Sequence, residues 1–284
     1  MKPAANDAPF SVRTDDPLEL LKAVLTASIY EESGWMSTAH ARSGWRLWLN
    51  RLLSRRGLLL VRRQPFDTEA RVNGRDWPLF GYTMAGHKRL DHMQHCVATI
   101  VREGIPGDLI ETGAWRGGMT IFMRALLQAH GDTTRRVWVA DSFEGLPVPN
   151  SEGDGWDYST VDILKVPLAQ VKANFARFGL LDEQVRFLPG WFAQTLPTAP
   201  IERLSLLRLD GDMYSSTRDG LDNLYDKLSP GGFVVVDDYY SWPACRRAVD
   251  DFRRERGIEA PIEAIDWTAG FWRVPAVAGV PRGA

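Results

Sequence analysis

Two runs of aspartate stand directly behind apolar stretches: Leu209-Asp210-Gly211-Asp212 follows LSLLR, and Asp237-Asp238-Tyr239 follows GGFVVV. If both stretches are adjacent parallel strands, Asp210 and the Asp237-Asp238 pair converge at one sheet edge, where they repel one another unless positive charge lies between them. An all-oxygen donor set suits a hard divalent ion, Mg2+ or Ca2+, far better than zinc. The competing reading has one Asp capping the next helix while the others face solvent. Earlier in the chain, Glu111-Thr112-Gly113-Ala114-Trp115-Arg116-Gly117 places an acid before a G-x-x-x-G turn. Such a turn lets a ligand approach the backbone where a side chain would block it. It is not the dinucleotide fingerprint, because Trp115 and Arg116 occupy space that a pyrophosphate needs. Asp141 ends another apolar run and is suited to accept hydrogen bonds from the two ribose hydroxyls of a nucleoside ligand. Gly190-Trp191-Phe192 offers an aromatic wall at the same edge, or core packing.

These residues can meet only if the elements before them form one sheet. From Gly107 onward, strand-like runs (GDLIETG, VWVADSF, VRFLPGWF, LSLLRLDGD, GGFVVVDDY) alternate with helical ones. The helical runs are expected at Gly117 to Ala129, near Leu168 to Phe178, up to Leu228 and up to Arg256. That alternation predicts right-handed βαβ units and an α/β, doubly wound, mostly parallel Rossmann-like sheet over 104–284, with ligands at the carboxyl ends of its strands. Ile262 to Val274 reads as a closing hairpin. Residues 1–103 read as an appended helical region. It holds an amphipathic helix over Asp16 to Tyr30, a second over Trp45 to Arg56 and a third over Lys88 to Arg102.

The 284 residues, 44% hydrophobic and 25% charged, exclude disordered, collagen-like and disulfide-scaffold classes. Two cysteines, Cys96 and Cys245, make no framework and predict a reduced, cytoplasmic setting. No apolar run is long enough to span a membrane. The net charge of −2 conceals seven arginines and no acid between Met36 and Arg63, so 27 basic residues elsewhere face 36 acidic ones. A short basic region on an acidic body implies a local electrostatic role and no general nucleic-acid surface.

From about Tyr82 to Arg273 the chain resembles the macrocin O-methyltransferase (TylF/MycF/NovP) family of S-adenosylmethionine-dependent, Mg2+-dependent sugar O-methyltransferases. The matching stretches are TMAGHKRLDHMQ, PGDLIETGAWRGGMTIFMRA, VWVADSFEGLP, VRFLPGWFAQTLP, LRLDGDMYSST and LSPGGFVVVDDY. The resemblance implies that Glu111, Thr112, Gly113, Ala114 and Trp115 hold the methionine part of the cofactor. It assigns Asp141, with Ser142 and Phe143 after it, to the ribose, and Trp191 and Phe192 to the adenine side. Asp210, Asp237 and Asp238 become metal ligands, Thr83 and Met84 close over the cofactor, and Tyr30-Glu31 of IYEE lie near the sugar. Asp210, or Asp212, takes the proton of a metal-activated hydroxyl, and no covalent enzyme intermediate forms. The histidines His40, His87, His92, His95 and His130 read as structural or surface groups.

Three departures from the family pattern stand out: Ser215 replaces Glu, His87 replaces an aliphatic residue, and a segment around Thr38 to Gln64 is inserted. The basic stretch 36–64, with Trp45 and Trp48, reads either as an interfacial helix on an anionic membrane or as a lid or subunit contact with paired arginines. A homodimer is the expected assembly and a glycoside the expected small-molecule substrate. Two other functions are open. One is a catechol-type methyltransferase, which carries a lysine base where Met213 stands here; the other is a non-catalytic cofactor-binding scaffold.

Overall fold

The computed structural model describes residues 15–30, 35–37, 48–49, 52–53, 55–58, 61–63, 66–149, 153–154 and 157–275. The chain divides into two compact units, Met1–His87 and Lys88–Ala284. Among the described residues no helix is long and apolar enough to cross a membrane.

In the first unit, α1 (Pro17–Leu25) starts as its sequence dictates: Asp16 caps it by accepting the Leu18 amide at 2.9 Å, and Pro17 fills the first turn. It stops five residues before Tyr30, short of the expected end. Thr26 Oγ1 turns back onto the Lys22 carbonyl at 2.9 Å, and Ala27 takes a left-handed φ of 55°, which no helix continues through. Arg71, at the end of α2 (Thr68–Val72), holds Asp76 through Nε at 2.9 and 2.8 Å and also donates to the Thr26 carbonyl. His87 Nε2 lies 3.2 Å from Thr26 Oγ1 and 2.9 Å from Ser28 Oγ. This unit is therefore organised around buried polar groups. Two three-residue strands, β1 (Trp35–Ser37) and β2 (Val61–Arg63), pair antiparallel in a ribbon not expected within a helical region. Of the arginine-rich stretch, Trp48–Leu49 and Leu52–Leu53 are helical and Trp48 is 66% exposed; most of the remainder, Trp45 included, lies outside the described residues.

The second unit carries α3 (His87–Glu103) into a seven-stranded sheet. Its strands are β3 (Asp108–Thr112), β4 (Val137–Asp141), β5 (Val185–Pro189), β6 (Leu204–Leu209), β7 (Leu228–Val236), β8 (Glu263–Ala264) and β9 (Gly270–Arg273). The spatial order is β5-β4-β3-β6-β7-β9-β8; β9 runs antiparallel to β7 and β8, and all the other pairs are parallel. The expected doubly wound sheet and closing hairpin are thus present. Between β3 and β6 the strand order reverses, and this is where such sheets open a crevice. β6 is buried along its whole length, as its apolar run requires of a central strand covered on both faces. On one face, α7 (Tyr214–Leu224) and α8 (Pro243–Glu255) bury Leu221, Leu224, Val249 and Phe252 against Leu207, Leu209, Val234 and Val236. The 12-residue α4 (Gly118–Ala129) packs on β3 and β4, and α5 (Leu168–Arg177) lies between β4 and β5 in sequence.

The crevice closes tightly at one point. Gly113, at φ +95°, lies so near β6 that a Cβ there would sit 1.9 Å from the Asp210 carbonyl oxygen. Gly113→Ala therefore combines left-handed strain with a backbone clash. We expect a loss of at least about 2 kcal/mol in chemical denaturation, with the cofactor turn displaced. Elsewhere, burial against Phe271, whose ring is 4.2 Å away, pushes His92 down from 6.5 to about 4, with His95 adding to the shift. The unfolded chain then binds the extra proton first, so this stability is intact above pH 6.5 and is lost as pH falls towards 4, by about 3 kcal/mol at most. His92→Phe is expected to flatten that part of the acid limb of a denaturation profile.

Candidate active site

The parallel register places four ionisable side chains on one face at the crevice. Glu111 of β3 is the direct partner of Arg208 of β6, which is the partner of Val235 of β7. Asp210 follows Arg208 by two residues and Asp237 follows Val235 by two, so the period of a strand turns all four the same way. Arg208 is 2% exposed. Its Nη1 lies 2.8 Å from Asp210 Oδ2 and also donates to Glu111 Oε1, and its Nη2 donates to Asp237 Oδ1. From α3, Arg89 donates to Asp237 Oδ2, and its Nε lies 3.0 Å from Asp266 Oδ2. The positive charge that the aspartates demand is thus supplied in part by two arginines that the sequence reading passed over. Arg208 could have been noticed as a lone cation inside the apolar run LSLLRLD. Arg89, 148 residues from Asp237, offered no such signal.

Asp210, Asp237 and Asp238 each offer a carboxylate oxygen within 4.8 Å of the other two. Burial, followed by the neighbouring Asp237, pushes Asp210 up to about 7. Burial also raises Asp212, and raises Asp238 well above the usual carboxylate range, with Asp212 and Asp210 reinforcing the latter shift. Asp237 moves the other way: burial opposes ionisation, but Arg208 and Arg89 outweigh it and hold the carboxyl below its ordinary value. Burial pushes Glu111 up, and the Arg208 guanidinium in direct contact with it opposes that shift. Asp238 Oδ2 is buried with no hydrogen-bond partner. Oxygen donors that repel one another, one of them unsatisfied, fit a hard divalent cation.

Asp141 is engaged by the backbone around it. Its Oδ2 accepts the amides of Ala114 at 2.7 Å and Trp115 at 3.2 Å, and its Oδ1 accepts that of Phe143 at 2.7 Å. One carboxylate therefore ties the Gly113–Trp115 turn to the loop behind β4, holding Trp115 and Phe143 in the left-handed conformations (φ 48° and 58°) that bulky residues avoid. Trp115 Nε1 donates to the Ile163 carbonyl at 2.8 Å, and Ser142 Oγ is engaged within its own turn by the Gly145 carbonyl at 2.7 Å. The Thr112 side chain is buried in the sheet. Trp191 caps the four-residue α6 (Phe192–Thr195), and the Phe192 ring lies beside Gly211, between Asp210 and Asp212. Thr83 and Met84 belong to the first unit, where the amides of Tyr82 and Thr83 donate to the Leu25 carbonyl. Tyr30 is there too and is 53% exposed; Glu31 lies outside the described residues.

Comparison with known proteins gives this arrangement a class. The solved structure of the O-methyltransferase NovP superposes with a TM-score of 0.77 at 41% identity, covering 91% of this chain and 98% of that one. The fold is that of a Rossmann-like O-methyltransferase, and the protein is an enzyme of that kind. The macrocin-O-methyltransferase (TylF) family matches residues 14–274, and the chain belongs to it. It is 58% identical over 212 residues to the 8-demethyl-8-(2,3-dimethoxy-alpha-L-rhamnosyl)-tetracenomycin-C 4'-O-methyltransferase of Streptomyces olivaceus, across 73% of this chain and 81% of that protein. To the mycinamicin III 3''-O-methyltransferase of Micromonospora griseorubida it is 49% identical over 221 residues, across 75% and 87%.

The three amides on Asp141 make a clear forecast. Asp141→Asn must turn an NH2 group towards at least one backbone N–H. It is expected to cost about 2 kcal/mol in denaturation and to weaken S-adenosylhomocysteine binding measured by calorimetry.

Proposed function

We propose that this enzyme transfers the methyl group of S-adenosylmethionine to a sugar hydroxyl of a glycosylated natural product, with a divalent cation, Mg2+, held by Asp210, Asp237 and Asp238. The observation that supports this most is the meeting of those carboxylates within 4.8 Å of one another on the β6 and β7 ends, beside the β3 turn. The relatives named above act on a rhamnosyl tetracenomycin and on a mycinamicin, which supports a deoxysugar of a polyketide glycoside as acceptor.

Bound there, the cation would lower the pKa of the acceptor hydroxyl and orient it. The chain's own residues do the rest. Gly113 lets the turn after β3 lie against the end of β6, and Asp141 keeps that turn in shape before any ligand arrives. The acceptor oxygen forms a bond to the methyl carbon as the carbon–sulfur bond breaks, and the hydroxyl proton passes to a carboxylate. Asp210, at the end of β6 among the residues that would hold the cation, is placed to accept that proton, with Asp212 two residues further on. Asp237 is poorly suited to the task, because both its oxygens face arginines. Met213 is 2% exposed and supplies no base at the position where catechol-type enzymes carry lysine, which favours the less acidic sugar hydroxyl.

The test is methyl transfer to a demethylated rhamnosyl polyketide, with EDTA added and Mg2+ restored. Activity should vanish with EDTA and return with Mg2+. Asp238→Asn should lower kcat/KM by about 100-fold or more while leaving S-adenosylhomocysteine affinity, measured without Mg2+, within about threefold. Full turnover in EDTA would overturn the metal assignment, and transfer to catechols alone would overturn the acceptor class.

A further inference from the structure

Arg208 touches both halves of the site, and its single charge is shared among three carboxylates. One nitrogen, Nη1, serves Glu111 Oε1 on the strand that runs into the cofactor turn and also Asp210 Oδ2 at 2.8 Å, among the proposed cation ligands; Nη2 serves Asp237 Oδ1. The second oxygen of Glu111 is buried with no hydrogen-bond partner, so Glu111 depends on this guanidinium for its charge balance. Arg208 and Glu111 are each about 2% exposed at the side chain and Asp237 7%, so solvent screens these two pairs little, whereas Asp210, at 31%, faces the opening of the site.

Resting on the cation and cofactor subsites proposed above, we propose that Arg208 is a positioning residue that couples them, each ligand raising the affinity for the other. A divalent cation among Asp210, Asp237 and Asp238 supplies positive charge to two of the three carboxylates that Arg208 serves. The guanidinium then concentrates on Glu111, one residue ahead of Thr112 and two ahead of Gly113, and fixes the end of β3 from which the cofactor turn departs. A cofactor seated on that turn holds Glu111 against Arg208 in return and leaves the aspartates more exposed in charge to the cation. Linkage requires the two effects to be equal. Arginine suits the role because its rigid planar fork addresses the carboxylates in fixed directions from separate nitrogens, whereas an ammonium is one compact charge on a flexible stem.

Calorimetry tests this on the full-length protein, using Mg2+ alone and S-adenosylhomocysteine, whose neutral thioether removes direct repulsion between the two ligands. The expected result is that saturating S-adenosylhomocysteine tightens Mg2+ binding about fivefold or more, and that Mg2+ tightens S-adenosylhomocysteine by the same factor. In Arg208→Lys the ratio should fall to about one, although both ligands still bind. Glu111→Gln, which keeps the shape of the pair and removes the charge, should do the same and decides the matter if Arg208→Lys does not fold in a thermal melt. A merely structural role would weaken stability or both affinities and leave the ratio unchanged. A ratio of one in the wild type, or the wild-type ratio in a folded variant, overturns the coupling while the proposed function stands. Absence of binding by either ligand to the wild type overturns both.

Discussion

One buried guanidinium holds the catalytic edge of the sheet together. Arg208 lies on the central strand, and without it buried Glu111 and Asp237 and half-buried Asp210 would meet with no positive charge between them. Buried ions are expensive, and the attraction repays that cost only where every lone pair is used. Here it is used unevenly: Asp237 is doubly served by arginines, whereas Glu111 and Asp238 each keep an oxygen with no hydrogen bond. The pattern separates the carboxylates by role. Asp237 is held in place by two arginines beside the proposed cation, and the oxygens with no hydrogen bond belong to Asp238, among the cation ligands, and to Glu111.

The sheet was legible because its strands are continuous apolar runs set off by glycines and helices, and a central parallel strand can afford little else. The meeting of Asp210 with Asp237 and Asp238 followed from register alone, since each stands directly behind such a run. The partners of those acids were not legible. Arg89 reaches Asp237 across 148 residues, and no local pattern carries a pairing of that kind. Asp141 had the right place and an unforeseen task, because sequence shows a carboxylate but not the three amides that turn towards it. The β1–β2 ribbon escaped notice because three residues per strand, two of them arginine in Val61–Arg63, are too few to alternate visibly.

The first unit obeys a different economy. Among its described residues, Arg71 holds Asp76 and the His87 ring meets two hydroxyls. His87 stands where the family pattern has an aliphatic side chain, and the neighbouring Thr26 and Ser28 explain how an imidazole is accommodated: both hydroxyls lie within hydrogen-bond reach of Nε2. The Thr26 hydroxyl thus both closes α1 onto the Lys22 carbonyl and meets a distant ring. Ile29 and Tyr30, directly beyond, are left exposed at 42% and 53%.

The Asp141 clasp has a kinetic side. A turn whose amides are already gathered on a carboxylate has surrendered its disorder during folding, so a ligand that lands there has little entropy left to remove. Association at that edge is then governed by encounter and desolvation and does not wait for the chain to rearrange, and a ligand that leaves finds the same shape behind it. For an enzyme that must shed a spent thioether and take up a fresh sulfonium on each cycle, a seat that never unmakes itself shortens the interval between turnovers.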